Sequence, residues 1–111
     1  MILVSFWASW SKPSIQRNIQ LMSLYNRYHK KGFEIYQVSL DQSREDWRKG
    51  VSFDQLPWIN VSDLQGLNSR AAQVYNIQDI PTDYLIHQER GILAKNPDKQ
   101  TLKRQLSIAL D

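Results

Sequence analysis

The sequence contains no cysteine among its 111 residues, and it has only four glycines and two histidines. The absence of cysteine excludes structural disulfides and thiolate chemistry, and it also removes the usual indication of redox compartment. No glycine-rich phosphate-binding loop is present, and the histidines lack the spacing that is typical of a zinc site. We therefore predict neither a metal nor a cofactor.

Long apolar runs are absent as well, since no stretch approaches the roughly 20 residues that a membrane span needs. The opening MILVSFWASW has no basic start and no small-residue cleavage site, so it predicts a buried strand rather than a signal peptide. The chain begins inside this strand, which fits a truncated piece whose signal or anchor would lie upstream.

The charge composition gives little support to a nucleic-acid partner. Fourteen basic and eleven acidic residues leave a net charge of +3, which only weakly favours acidic partners. The basic run at residues 27–31 falls where a helix should end, and cations there complement the helix dipole. The aromatic residues also lack the interleaved basic residues of a nucleic-acid platform, so we predict no nucleic-acid binding.

Hydrophobic periodicity and turn residues predict a β-α-β-α-(irregular)-α-β-β-α order. The predicted strands cover residues 2–8, 33–40, 83–87 and 92–95, with a possible extended piece at 59–61. The first predicted helix runs from residue 14 to the stop at Gly32, and the second runs from the capping residue Ser43 to about Gly50. The third begins at a cap at residue 68 or 69 and continues through residue 75. The fourth follows the cap Asn96, with Pro97 in its first position. This order predicts one α/β domain over residues 1–111, a three-layer α/β/α sandwich with a mixed sheet of about four strands.

The stretch FWASWSKPSIQRN holds two serines, Ser11 and Ser14, at the start of the first helix. Ser11 lies just before the helix, where its oxygen can accept a hydrogen bond from an amide near Ser14. A hydrolytic serine would need a neighbouring base, but His29 and His87 fall at distant element ends and are predicted to be surface residues. Both serines are therefore predicted to cap the helix or to occupy the turn as small polar side chains, without a catalytic role.

Five segments carry a resemblance to a known family: VSFWASWSKPS, GFEIYQVSLD, LPWINVSD, AAQVYNIQDIPTDYLI and GILAKN. Together they resemble the thioredoxin superfamily, especially its TlpA/ResA-type branch, over nearly the whole chain. That branch carries a Phe-Trp-Ala-x-Trp-Cys-x-Pro-Cys start and an Ile-Pro-Thr loop. Trp10 and Pro13 match the start, and Ser11 and Ser14 occupy both cysteine positions.

The resemblance also implies a substrate groove beside the altered turn. Pro81 matches the family's cis-proline, the Ile80 backbone matches the residue that pairs with extended substrate peptides, and Asp79 replaces a frequent glycine. The implied groove residues are Trp10, Lys12, Pro13, Ile80, Pro81 and Thr82. Lys12 is predicted to be exposed, either as a docking charge for a carboxylate or simply as a solvated lysine. Among the other tryptophans, Trp7 is predicted in the core and Trp58 at the groove.

These observations lead to a redox-inactive thioredoxin-like domain that binds an extended polypeptide or partner protein non-covalently. The alternative is a Cys-to-Ser form, made for study, of an active TlpA/ResA-like thiol-disulfide oxidoreductase. A third hypothesis is a structural module: family members have strands before the first one here, so residues 33–40 would form an exposed sheet edge that supports self-association. The resemblance implies a bacterial periplasm or cell envelope, for which the residues themselves give no evidence.

Overall fold

A five-stranded mixed sheet forms the centre of the computed structural model, which describes residues 1 to 111. The strands are β1 (Ile2–Trp7), β2 (Glu34–Ser39), β3 (Ile59–Val61), β4 (Thr82–His87) and β5 (Gly91–Lys95). The helices are α1 (Lys12–Tyr28), α2 (Arg44–Phe53), α3 (Arg70–Val74) and α4 (Lys99–Leu110). Short 3-10 turns cover His29–Lys31 and Gly66–Asn68.

The strands lie in the order β3-β2-β1-β4-β5. β1 and β3 run parallel to β2, whereas β4 is antiparallel to both β1 and β5. This architecture is the predicted α/β sandwich with one strand more than expected. The additional strand is β3, because the extended piece at residues 59–61 pairs with residues 36–38 of β2.

The predicted exposed edge at residues 33–40 is wrong. β2 lies inside the sheet between β1 and β3, and the two edge strands are β3 and β5. The prediction considered only strands preceding β1 as possible neighbours of β2. The connection through α2 instead places β3 on the outer side of β2, where it supplies the pairing that the prediction lacked.

The larger core lies between the sheet and the helices α1, α2 and α4. Trp7, predicted in the core, is fully buried there. The other buried members of this cluster are Leu3, Leu21, Leu24, Tyr25, Tyr28, Phe33, Ile35, Leu56, Trp58, Leu85, Leu102 and Leu106. Trp47 and Val51 of α2 pack at its margin, so α2 lies on the same side of the sheet as α1.

The opposite side of the sheet is covered mainly by the short helix α3. Its smaller cluster joins Phe6, Val38, Leu40, Ala72 and Ile77. No helix of the chain combines the length and the apolar character that crossing a membrane requires.

Local capping signals correctly identify the starts of α2 and α3 and the end of the 3-10 turn after α1. Ser43 accepts a hydrogen bond from the Asp46 amide at 3.3 Å, and Ser69 accepts from the Ala72 amide at 3.5 Å. Gly32, with φ of +110°, closes the 3-10 turn that follows α1. A left-handed backbone of this kind is unstrained only for glycine, which explains the stop signal.

The predicted start of α4 is wrong by two residues. Asp98, not Asn96, is the capping residue, and its Oδ1 accepts from the Thr101 amide at 2.7 Å. Asn96 has a left-handed backbone, with φ of +51°, and its Oδ1 accepts from the Asp83 amide at 2.7 Å. The side chain of Asn96 therefore holds the start of β4 instead of capping the helix, a long-range contact that no local pattern shows.

Candidate functional site

The turn between β1 and α1 carries the two serines that the sequence singles out. Ser11 is the capping residue of α1, and its Oγ accepts from the Ser14 amide at 3.3 Å. Lys12 and Pro13 occupy the first two helical positions, where a proline costs no intrahelical hydrogen bond. The cap predicted for Ser11 is therefore present, although α1 begins at Lys12 and not at residue 14.

Ser11 and Ser14 are both buried, but their hydroxyls differ in their partners. The Ser14 Oγ has no hydrogen-bond partner in the structure. A buried hydroxyl without a partner is destabilising, because it loses its bonds to water on folding. The Ser14 hydroxyl is thus a buried polar group that does not stabilise the turn.

The loop before β4 lies next to this turn because of the strand pairing. Phe6 near the end of β1 is opposite Thr82 at the start of antiparallel β4. The Ile80–Pro81 peptide bond is cis. Thr82 is buried, and its Oγ1 donates to the Asp79 carbonyl at 2.6 Å, which closes the loop on itself.

An open groove of about 820 Å³ runs between the turn and this loop. Its lining residues are Trp10, Ser11, Leu40, Asp41, Gln42, Ser43, Asp46, Gly66, Leu67, Asn68, Gln78, Asp79 and Ile80. We call it the Trp10 groove after its most exposed aromatic residue, of which 70% is accessible.

Four of the six groove residues implied by the resemblance are not lining residues of the Trp10 groove. Trp10 and Ile80 line the Trp10 groove, together with Ser11. Lys12 and Pro13 are exposed on the first turn of α1, and Pro81 is half-buried behind Ile80; none of these three is a lining residue. Thr82 is buried and contributes through its bond to Asp79.

Asp41 is a functional candidate that no sequence motif identifies. Its buried carboxylate accepts from the Ser9 amide at 3.2 Å and from the Ser9 hydroxyl at 2.6 Å. The Ser39 hydroxyl donates to its second oxygen. Asp41 therefore ties the end of β2 to the turn that precedes Trp10. Its position at the carboxyl end of a parallel strand is a signal that would have identified it, since sites gather at that edge.

Trp58 does not border the groove, so its predicted place is wrong. It is 5% exposed within the larger core, where its ring packs edge-on against Tyr25 at 5.6 Å. Its Nε1 donates to Gln37 Oε1 at 2.8 Å. A buried glutamine on β2 thus satisfies the indole of a distant residue, and this pairing cannot be predicted from local sequence.

The two histidines lie outside the Trp10 groove. His29 follows α1 and stacks on Tyr25, with ring centroids 4.6 Å apart. His87 ends β4, and its Nδ1 accepts from the amides of Glu89 and Arg90. No histidine therefore lines the groove beside Ser11, and the groove lacks the serine–histidine pair of a serine hydrolase.

The βαβ unit, the antiparallel β4–β5 pair and the cis-proline loop beside a capped helix define a thioredoxin-like α/β sandwich. Residues 1–92 match the sequence model of the family described as thioredoxin-like, and the chain belongs to that family.

Known relatives agree with this assignment. The chain is 26% identical over 105 residues to a thiol-disulfide oxidoreductase ResA of Bacillus cereus, in an alignment that covers 95% of the chain and 58% of that protein. A second ResA, from Geobacillus kaustophilus, is covered over 60% of its length. The chain thus spans about three fifths of the length of the curated relatives it matches.

Solved structures give the same result. A thiol-disulfide oxidoreductase from Bacteroides fragilis superposes with a TM-score of 0.89 at 36% identity, covering 98% of the chain and 80% of that structure. The thioredoxin domain of a thiol-disulfide oxidoreductase from Bacteroides vulgatus gives a TM-score of 0.87 at 28% identity, with coverages of 99% and 79%.

Proposed function

We propose that this chain is a redox-inactive thioredoxin-like domain that binds an extended polypeptide non-covalently in the Trp10 groove. One observation carries the proposal: both reactive positions hold serine, yet the capped turn, exposed Trp10 and the Ile80 loop still border one groove. Disulfide exchange needs a thiolate to attack and a second thiol to resolve the mixed disulfide, and a hydroxyl can do neither. Binding is the function that this groove can support without sulfur.

The charge of the groove favours a basic segment as its occupant. Asp41, Asp46 and Asp79 line it, and no lysine or arginine does. The sequence leaves two roles open for Lys12, a docking charge for a carboxylate or a simple solvated lysine, and Lys12 is not a lining residue of the groove. Complementary charge increases both the rate and the selectivity of association, so lysine or arginine side chains are the expected partners of the exposed carboxylates of Asp46 and Asp79.

Trp10 and Leu67 are the most exposed apolar side chains that line the groove. Both side chains are largely exposed, and exposed aromatic residues in grooves are frequent anchors of protein interfaces. An extended segment with alternating basic and apolar residues would place one set toward the carboxylates and the other toward these two side chains.

Fluorescence anisotropy tests this proposal with the labelled peptide acetyl-Lys-Val-Lys-Val-Lys-amide and its glutamate counterpart. We expect saturable binding of the lysine peptide and about tenfold weaker binding after Trp10→Ala or Leu67→Ser. Ile92→Ser on β5 is the matched control, because Ile92 is 59% exposed and Leu67 is 60% exposed. Equal losses for Leu67→Ser and Ile92→Ser, or the absence of saturable binding, would contradict the proposal.

A second candidate function rests on the names of the relatives, which are thiol-disulfide oxidoreductases. In this alternative the present chain is a Cys-to-Ser form of an active enzyme, and the serines have no role of their own. The intact cap at Ser11 is compatible with it, because the turn keeps the geometry at the helix N-terminus that lowers the pKa of a thiol. The gene sequence at codons 11 and 14 decides between the two.

A further inference from the structure

A second groove lies on the outer face of α1, separate from the Trp10 groove. It has a volume of about 330 Å³ and lies between α1 and the segment that follows α2. Its lining residues are Ile15, Asn18, Ile19, Met22, Ser23, Asn26, Asp54 and Leu56. We call it the α1 groove, and it shares no residue with the Trp10 groove.

Apolar side chains of α1 form the floor of this groove. Ile15, Ile19 and Met22 are spaced four and three residues apart, so they lie along one helix face. Their row spans about 10 Å at the rise of an α-helix, which is longer than a single side chain. Ile19 is 69% exposed, although an aliphatic side chain on a monomer surface gains by being covered.

A buried hydrogen-bond donor without a partner lines the same groove. Trp58 Nε1 can only donate, so the atom of Gln37 that it contacts at 2.8 Å is the acceptor Oε1. Gln37 Nε2 must then donate, and it does so to Asn18 Oδ1 at 2.7 Å. This chain of bonds leaves Asn18 Nδ2 as its last donor. Asn18 is 2% exposed, and its Nδ2 has no acceptor in the protein.

The α1 groove also contains a carboxylate without a basic partner. Asp54 lines the α1 groove and takes part in no ion pair, whereas the pairs that do form involve Asp83, Asp111 and Glu45. Partial burial raises the pKa of Asp54, since removal from water penalises its charged form. A cation placed beside Asp54 would favour its charged form and lower its pKa again.

We propose that the α1 groove docks a partner polypeptide through a large aliphatic side chain next to a lysine or arginine. Asn18 Nδ2 is buried in the free protein, so a side-chain movement on binding would expose it to a backbone carbonyl of the partner. Each requirement corresponds to one observed feature. The row on α1 takes the aliphatic side chain, Asp54 takes the cation, and Asn18 takes the carbonyl. The inference goes beyond the proposed function, because it assigns a second docking surface to a different face of the domain.

Nuclear magnetic resonance of the 15N-labelled full chain tests this proposal with the blocked peptides acetyl-Ala-Leu-Arg-Leu-Ala-amide and acetyl-Ala-Leu-Glu-Leu-Ala-amide. We expect saturable shifts of the backbone amides from Ile15 to Met22 and of the Asn18 side-chain NH2 with the arginine peptide. The glutamate peptide should bind about tenfold more weakly because of Asp54. Leucinamide serves as the small-molecule probe, and binding as tight as that of the peptide would overturn the polypeptide assignment.

Three variants separate the three contacts. Ile19→Ser and Asp54→Asn change accessible side chains, whereas Asn18→Asp changes a buried one, and circular dichroism first verifies that this variant folds. Ile19→Ser should weaken binding about tenfold, while its matched control Ile108→Ser on α4, where Ile108 is 73% exposed, should leave it unchanged. Asp54→Asn should abolish the preference for arginine over glutamate. Asn18→Asp keeps the acceptor for Gln37 but removes the donor, so it should prevent binding.

Several outcomes would overturn the inference. These are the absence of saturable shifts on α1, equal effects of Ile19→Ser and Ile108→Ser, or equal affinity for the two peptides. Unchanged binding by a folded Asn18→Asp variant would show that Nδ2 donates to water and not to a ligand. Leu67→Ser distinguishes the two proposals, since it should weaken binding in the Trp10 groove and leave the α1 groove unaffected.

Discussion

Ser11 and Ser14 are the same residue type three positions apart, but the structure gives their hydroxyls opposite energetic roles. Ser11 Oγ satisfies a backbone amide that has no partner inside the helix, which stabilises α1. Ser14 Oγ is buried without any partner. The sequence alone predicts the cap, because it follows from position relative to the helix. It cannot predict the unpaired hydroxyl, because that depends on packing from distant elements.

Alanine substitutions at these two serines should therefore shift stability in opposite directions. Ser14→Ala removes a buried unpaired hydroxyl and should stabilise the fold by about 1 kcal/mol. Ser11→Ala removes the cap and should destabilise it by about 1 kcal/mol. Urea denaturation measures both, with a changed midpoint and an unchanged slope as the signature. A clear destabilisation by Ser14→Ala would mean that its hydroxyl has a partner, such as an ordered water.

At the scale of elements, α2 shows how a glycine can be misread as a stop signal. The sequence predicts a helix that finishes near Gly50, but α2 continues to Phe53. A Cβ at Gly50 would lie 2.7 Å from Ser9 Cβ and 3.2 Å from the Trp7 ring. Gly50 is therefore required by the close approach of α2 to the turn that Asp41 holds.

Gly50→Ala should destabilise the protein even though alanine is the better helix former. The propensity gain is about 1 kcal/mol. We expect a net loss of about 1–2 kcal/mol, because overpacking against Ser9 and Trp7 costs more than the gain. Thermal denaturation measures the change. Ser52→Ala in the same helix is the control, because it also introduces the better helix former alanine but does not press against Ser9 and Trp7. A stabilised Gly50→Ala variant would contradict the close packing of α2 on the turn.

The elements differ in how far the sequence predicts them. Caps are local, so Ser43, Ser69 and Gly32 identify their boundaries correctly. The pairing of β3 with β2 and the role of Asn96 depend on residues far apart in the chain. The same limit applies to the site: Trp10 and Ile80 follow from motifs, whereas the hydrogen bonds of Asp41 and Asn18 emerge only once strands and helices are assembled.

For the molecule as a whole, the sheet determines which distant segments can cooperate. Antiparallel pairing of β1 with β4 brings the Ser11 turn and the Ile80 loop to one end, although about 70 residues separate them. A helix N-terminus at the same place favours a negative charge on whatever atom residue 11 presents. The scaffold therefore retains the electrostatic conditions of a thiolate site, while its residues supply only hydroxyls.

Restoring sulfur at both positions tests whether the scaffold alone is sufficient for the chemistry of the relatives. The double variant Ser11→Cys/Ser14→Cys should catalyse insulin reduction by dithiothreitol above the rate of the unchanged chain, because residue 11 at the helix N-terminus would hold a stabilised thiolate. Each single variant should stay at the background rate, since attack and resolution need two thiols. A double variant that folds and titrates as a free dithiol, yet gives no turnover, would show that the groove has lost more than its sulfur.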